Sequence, residues 1–115
     1  MEVDKSLNFG TIDSVHKNLH KGLLFTYCDD LPSAAVGNTD YYLSVPSDRG
    51  AHITIEVSSD NAGLIDIYEA PTITVNGTAQ TPKNRNRASA NTPGTLLYKG
   101  PTNTTLGTLL CRERF

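Results

Sequence analysis

The stretch Ala51–Gly77, AHITIEVSSDNAGLIDIYEAPTITVNG, gives the strongest indication of the fold. In its first part every second side chain is apolar, at Ala51, Ile53, Ile55 and Val57. Successive side chains of a β-strand point to opposite faces, so this period of two predicts a strand with one apolar face. His52, Thr54, Glu56 and Ser58 then form its polar face.

Similar short alternating runs occur on both sides of this stretch and are separated by turn-forming residues. They are LLFTY (23–27), YYLSV (41–45), LIDIYEA (64–70), TITV (72–75), TLLYK (95–99) and LGTLLCRERF (106–115). Asn76-Gly77 is a strong hairpin signal. No segment is long enough for the helix of a parallel crossover. The pattern predicts an all-β fold, an antiparallel β-sandwich of the jelly-roll-like kind.

The first residues have a different pattern. DSVHKNLHKG (13–22) predicts one or two helical turns, with Asp13 or Ser14 as the N-cap and Gly22 as the terminator. We therefore expect an N-terminal arm or short helical segment over residues 1–21, followed by a β-sandwich domain over residues 22–115. The last run, GTLLCRERF, leaves an open sheet edge. We expect either that a neighbouring chain completes it or that the domain is incomplete at the C-terminus.

Composition excludes several classes of protein. The 115 residues carry a net charge of -2, and 19% of them are charged, so the chain lacks the basic field that collects nucleic acid. The apolar runs are too short to cross a bilayer, and MEVDKSLNFG does not resemble a signal peptide. Cys28 and Cys111 are expected to be free thiols, with a disulfide possible only if the fold brings them together. We expect no nucleic-acid or membrane partner.

Catalytic and metal-binding motifs are absent from the sequence. His16 and His20 are four residues apart, a spacing compatible with metal ligation, but no supporting carboxylate accompanies them, and a solvated helical turn is the simpler interpretation. The aspartates of the predicted loops lack the register of a calcium loop. No nucleophile elbow is present. We expect no enzyme activity, no catalytic residue, no metal and no cofactor.

The most basic run is PKNRNRASANTP (82–93). It contains no aromatic residue on which a base could stack, which argues against a nucleic-acid groove. Arginine forms forked contacts with carboxylates, so a polar loop of this kind is suited to an acidic protein surface; a solvated hairpin loop is the alternative. We predict protein contacts in the segment Leu7–Lys21 and in this loop. The contact residues are His16, Leu19, His20, Lys83, Asn84, Arg85, Asn86 and Arg87.

Several segments in order also resemble a known family. HKGLLFTY (20–27) and the long run from AHITIEVSS through YEAPT, NGT and NRNR to LLYKGPT (51–102) resemble small structural proteins of tailed-bacteriophage virions. The resemblance covers roughly residues 16–110. It implies a β-sandwich protein on the capsid exterior that decorates or cements the shell and is made in the host cytoplasm. The implied partners are the major capsid protein and further copies of the chain, as a dimer or trimer.

A second function remains open. The same domain in a tail fibre or other host-recognition part would be a carbohydrate-binding module. Sugar sites usually contain exposed aromatic platforms, for which Tyr41, Tyr42 and Tyr68 are the candidates, and the chain has no tryptophan.

Overall fold

The structure of the chain is a computed structural model that describes residues 14–31 and 37–115. Its one described helix is α1 (Ser14–His20). The strands in chain order are β1 (Phe25–Thr26), β2 (Tyr41–Ser44), β3 (Leu64–Glu69), β4 (Thr72–Val75), β5 (Thr78–Ala79), β6 (Lys83–Asn84), β7 (Leu96–Lys99), β8 (Thr102–Thr105) and β9 (Thr108–Arg114). The predicted all-β class is confirmed.

Every described pair of strands is antiparallel. β1 pairs with β6, β2 and β5 flank β7, β3 pairs with β9, and β4 pairs with β8. Several short antiparallel sheets of this kind agree with the predicted sandwich-like fold. The jelly-roll strand order stays a prediction.

The chain divides into two compact units. The first unit, drawn from Met1–Ala35 and Thr81–Gly94, contains α1, β1 and β6. The second unit, Val36–Gln80 and Thr95–Phe115, contains the other strands. The predicted boundary between residues 21 and 22 is based on a change of sequence pattern, whereas the two units are based on spatial contacts. The predicted boundary stays a prediction.

Helix α1 ends as the sequence predicts, at Gly22. The Gly22 N–H donates to the Leu19 carbonyl at 3.1 Å, and the Leu23 N–H donates to the Asn18 carbonyl at 2.8 Å. These two bonds form a Schellman motif, which requires a residue in the left-handed region, and Gly22 has a φ of 69°. The predicted helix and its terminator are therefore confirmed, while the Asp13 alternative for the N-cap lies outside the described residues.

The longest strand pair is β3 with β9. Asp66 lies opposite Arg112, and the two side chains form a forked ion pair, with Nε to Oδ1 at 2.7 Å and Nη2 to Oδ2 at 2.8 Å. The register shifts between Ile67 and Tyr68, which places a β-bulge in the pair. The hydrogen bonds and the charge of Arg112 hold the pKa of the Asp66 carboxyl below its ordinary value.

Two strand predictions are wrong in their details. Residues 51–57, the clearest alternating run, form no strand in the described structure. Asn76-Gly77 does not close a hairpin, because β4 and β5 belong to different sheets. Gly77 has a φ of 95° and its Cα lies against the Lys99–Pro101 backbone, so the turn redirects the chain from one sheet to the next.

The described residues contain no fully buried apolar side chain. Large aliphatic side chains are instead exposed along the second unit, among them Ile53, Ile55, Val75 and Leu110. Burial of apolar side chains is the main favourable contribution to folding, and isolated two-stranded sheets are marginal in water.

We predict that Asp66→Asn reduces the dependence of stability on pH in the acid range. A carboxyl with a depressed folded-state pKa stabilises the fold above its ordinary value of 3.8, and this contribution is lost as the pH falls through the folded-state value. Thermal unfolding midpoints between about pH 5 and pH 2 should fall less steeply in the variant than in the wild type. An unchanged slope would contradict the prediction.

Asp48→Asn is the matched control for this experiment. Its carboxylate lies 4.0 Å from Arg49 Nε, and both side chains are largely exposed. Such a pair contributes little to stability. We expect the unfolding midpoint of the control at neutral pH to equal that of the wild type.

Candidate protein-contact surface

The basic loop and residues 14–21 of the predicted N-terminal contact segment belong to the same unit of the structure, and residues 7–13 of that segment lie outside the described residues. β1 pairs with β6 so that Phe25 lies opposite Asn84 and Thr26 lies opposite Lys83. The Arg85 N–H extends this pairing by donating to the Leu24 carbonyl at 2.8 Å. The chain that leaves helix α1 is therefore joined directly to the basic loop, which is more than sixty residues away in the sequence.

The side chain of Asn84 lies at the centre of this junction. Its Nδ2 donates to the Gly22 carbonyl at 2.9 Å and to the Asn91 carbonyl at 3.2 Å, and its Oδ1 accepts from the Asn86 N–H at 2.9 Å. Only 8% of the residue is exposed, and it is the one buried polar residue of the described ranges. We predicted Asn84 among the partner contacts, but its buried amide is occupied within the chain, so we assign it to holding the loop.

Two further asparagines hold the end of helix α1. The Asn86 Nδ2 donates to the His20 carbonyl at 3.2 Å, and its Oδ1 accepts from the Ala88 N–H at 3.1 Å. The Asn91 Nδ2 lies 3.3 Å from both the Lys21 and the Gly22 carbonyls. We call Asn84, Asn86 and Asn91 the asparagine clamp. Because helix C-terminal carbonyls lack intrahelical partners, these amides satisfy groups that would otherwise need water.

The basic side chains of the loop are exposed. Lys83, Arg85 and Arg87 are exposed, and Arg87 Nη1 makes a long contact of 3.4 Å with the Asn84 carbonyl. Helix α1 and the residue after it add Lys17 and Lys21, which are also exposed. We call these five residues the basic set; none of them forms an ion pair with another described residue.

The charges of the two units differ in sign. The described part of the first unit carries the five cations of the basic set against Asp29 and Asp30, a net charge of +3. The described part of the second unit carries four cations and seven carboxylates, a net charge of -3. Over its whole range the first unit holds six cations and five carboxylates, a net charge of +1. Its positive charge is therefore concentrated in the basic set, which can bind an acidic surface.

The remaining predicted contact residues lie on helix α1. His16 and His20 are exposed, and their Nε2 atoms are 3.1 Å apart, so one ring donates a hydrogen bond to the other. Leu19 is half-buried. Within residues 14–31 and 37–115, no three histidine, cysteine or acidic side chains come together as a metal site. Cys28 and Cys111 are free and exposed.

The tyrosines predicted as sugar platforms contact other side chains of the chain. Tyr42 stacks on Tyr98 with ring centroids 5.9 Å apart, and the Lys99 ammonium lies 5.9 Å from the centre of the Tyr41 ring. Tyr68 is half-buried beside the Asp66–Arg112 pair. Tyr41 is exposed, and the use of these tyrosines as sugar platforms stays a prediction.

The sequence pattern did not reveal the role of Asn91 or of Ser89. The Ser89 hydroxyl accepts from the Asn91 N–H at 3.2 Å, and the Ser89 N–H donates to the Asn86 carbonyl at 3.0 Å. Ser89 also packs against the Cα of Gly22. The density of Asn and Ser between Pro82 and Pro93 was the available signal, because these side chains commonly bond to nearby backbone.

We predict that Asn84→Ala lowers the free energy of unfolding by roughly 1–3 kcal/mol, because it leaves buried backbone groups without partners. Urea denaturation monitored by circular dichroism measures the change. Asn38→Ala is the matched control, since Asn38 is exposed and forms no hydrogen bond in the described structure. Equal stability of the two variants would contradict the role given to the clamp.

We also predict that Gly22→Ala destabilises the first unit by about 1–2 kcal/mol or more, because alanine is disfavoured at positive φ. The added Cβ would lie 2.7 Å from the Ser89 Cβ, so Ser89 would have to move. Gly50→Ala serves as the control, because no atom lies within 4 Å of its added Cβ. Urea denaturation of both variants should show a loss only for Gly22→Ala.

Comparison with known proteins gives no family assignment. No protein-family model matches the chain, and neither the curated proteins nor the solved structures contain a significant match. Among the described residues, no helix has the length and apolar character needed to span a membrane. The function proposed below is therefore based on the basic loop and the hydrogen bonds that hold it.

Proposed function

We propose that the chain is a virion structural protein that decorates or cements a capsid shell by binding the assembled major capsid protein. The observation that carries the proposal is the basic loop of the first unit, where Arg85 and Arg87 project from a backbone held by the asparagine clamp. The segment resemblance to tailed-bacteriophage virion proteins supports the same function.

A rigid loop is favourable for such a contact. Binding normally loses the entropy of ordering a loop, and a loop already fixed by Asn84 and Asn86 avoids most of that loss. Arginine guanidinium groups bind carboxylates through paired hydrogen bonds, so acidic groups on a shell are the matching partner. Each contact is modest, but a shell presents the same surface many times.

Repetition changes the affinity of an oligomer that contacts several shell subunits. Once one subunit has bound, the others bind at a high effective concentration, and overall affinity exceeds that of one contact by orders of magnitude. The exposed aliphatic side chains of the second unit support an assembled rather than a solitary state. A cement protein combines multivalent binding to a shell with assembly into oligomers.

The stoichiometry of purified particles tests this proposal. Quantitative mass spectrometry of density-purified virions should find the chain in hundreds of copies, in a fixed ratio to the major capsid protein that matches a capsid symmetry class. A few copies per particle would favour the tail-fibre or host-recognition function instead. Absence from the particle would overturn both functions.

We predict that Arg85→Ala combined with Arg87→Ala weakens binding to purified undecorated shells. Exposed charge pairs contribute about 0.2–1 kcal/mol each, so one shell contact should weaken by roughly 2- to 30-fold. The salt dependence of binding should also decrease, because fewer charges are screened. Co-sedimentation at two salt concentrations measures both effects.

Arg49→Ala combined with Arg114→Ala is the matched control. It removes the same charge from exposed positions of the second unit. If the control loses as much affinity as the loop variant, the contact depends on total charge and the assignment to Arg85 and Arg87 is wrong.

A further inference from the structure

The segment Ala51–Val57 has the sequence of a strand but lacks the pairing of one. Its residues belong to no helix, strand or turn, and all seven are exposed. Ile53, Ile55 and Val57 keep about half of their surface in contact with solvent, at 49%, 52% and 51%. Aliphatic side chains at alternate positions therefore form an uncovered apolar stripe.

The backbone of this segment is equally uncovered. No residue from Ala51 to Val57 takes part in a hydrogen bond within the described structure. The segment therefore offers a row of peptide donors and acceptors for pairing with another strand. It contains neither proline nor lysine, two residues that natural proteins use to prevent such pairing, and Glu56 is its one acidic residue.

We infer that the occupant of this unpaired edge is the same segment of a second copy, paired antiparallel about a two-fold axis at Thr54. The inference does not depend on the proposed function, because the pairing forms between free chains. A two-fold interface brings each patch against itself, so the segment must complement its own reversed sequence.

The sequence of the segment meets that requirement. With Thr54 opposite Thr54, Ile53 lies opposite Ile55, His52 opposite Glu56 and Ala51 opposite Val57. Every pair joins side chains of the same face and matching chemistry: aliphatic with aliphatic, hydroxyl with hydroxyl, and imidazole with carboxylate. Such directly opposed pairs are the unit of sheet stabilisation.

The other arrangement of two identical strands is less favourable. A parallel, in-register pair would place Glu56 opposite Glu56 and His52 opposite His52, and like charges directly opposite are destabilising. A strand of different sequence would not form these matched pairs, because they arise from the complementarity of the segment to its own reversed sequence. Self-pairing in the antiparallel register is therefore the arrangement that uses every residue from Ala51 to Val57.

Disulfide trapping tests both the occupant and the register. Thr54→Cys and Glu56→Cys are made separately in the full chain with Cys28→Ser and Cys111→Ser, and each protein is incubated with oxidised glutathione. In the inferred register the two Thr54 Cα atoms are about 5 Å apart, within disulfide range. The two Glu56 Cα atoms are about 14 Å apart, which is too far.

We expect covalent dimer from Thr54→Cys, at least tenfold more than from Glu56→Cys, on non-reducing gels. Equal trapping of the two variants would indicate a parallel or non-specific contact and overturn the inference. No trapping of Thr54→Cys would overturn it as well. Trapping in isolated protein, with no shell present, also separates this result from the test of the proposed function.

The mass of the unmodified protein gives a second measurement that does not depend on any substitution. Light scattering should find an even multiple of the 12.4 kDa chain, with the thermal unfolding midpoint rising with protein concentration. A monomer or a trimer would contradict the two-fold pairing. Ile55→Lys should shift the mass towards the monomer, whereas Val75→Lys, at another exposed aliphatic position, should not.

Discussion

The buried side-chain amide of Asn84 joins parts of the chain that are 62 positions apart in sequence. It bonds to the Gly22 carbonyl, to Asn91 and to Asn86, and with these bonds it fixes the loop against the end of helix α1. A buried amide without partners would be costly, so the arrangement holds only when all of them are in place. These bonds hold the backbone of the loop that carries Lys83, Arg85 and Arg87.

A second constraint governs the rest of the molecule. The described residues include no buried apolar side chain, although aliphatic residues alternate along several strands. Strands with such a pattern need a covering layer, and two-stranded sheets cannot supply one. We propose that association with other chains covers these side chains. The proposed self-pairing of Ala51–Val57 and the proposed docking of the basic loop use residues of different units.

The sequence pattern predicted local structure well where the signal was local. Helix α1 and its end at Gly22 followed from a short apolar period and a glycine that accepts a left-handed conformation. Most of the alternating runs became strands. The failures occurred where pairing partners decide the outcome. Asn76-Gly77 predicts a hairpin from two residues, yet β4 and β5 pair with distant strands.

Some features of the candidate site could likewise be predicted from the sequence, and others could not. Charge and the absence of aromatic residues indicated a protein contact at Lys83–Arg87 from the sequence, and that role stays a prediction. The sequence alone determined the all-β class, the helix and its terminator, because neighbouring residues fix those features. Only the tertiary structure decided that Asn84 is buried while Arg85 and Arg87 are exposed. Side-chain direction in a loop depends on hydrogen-bond partners far along the chain, which no local pattern specifies.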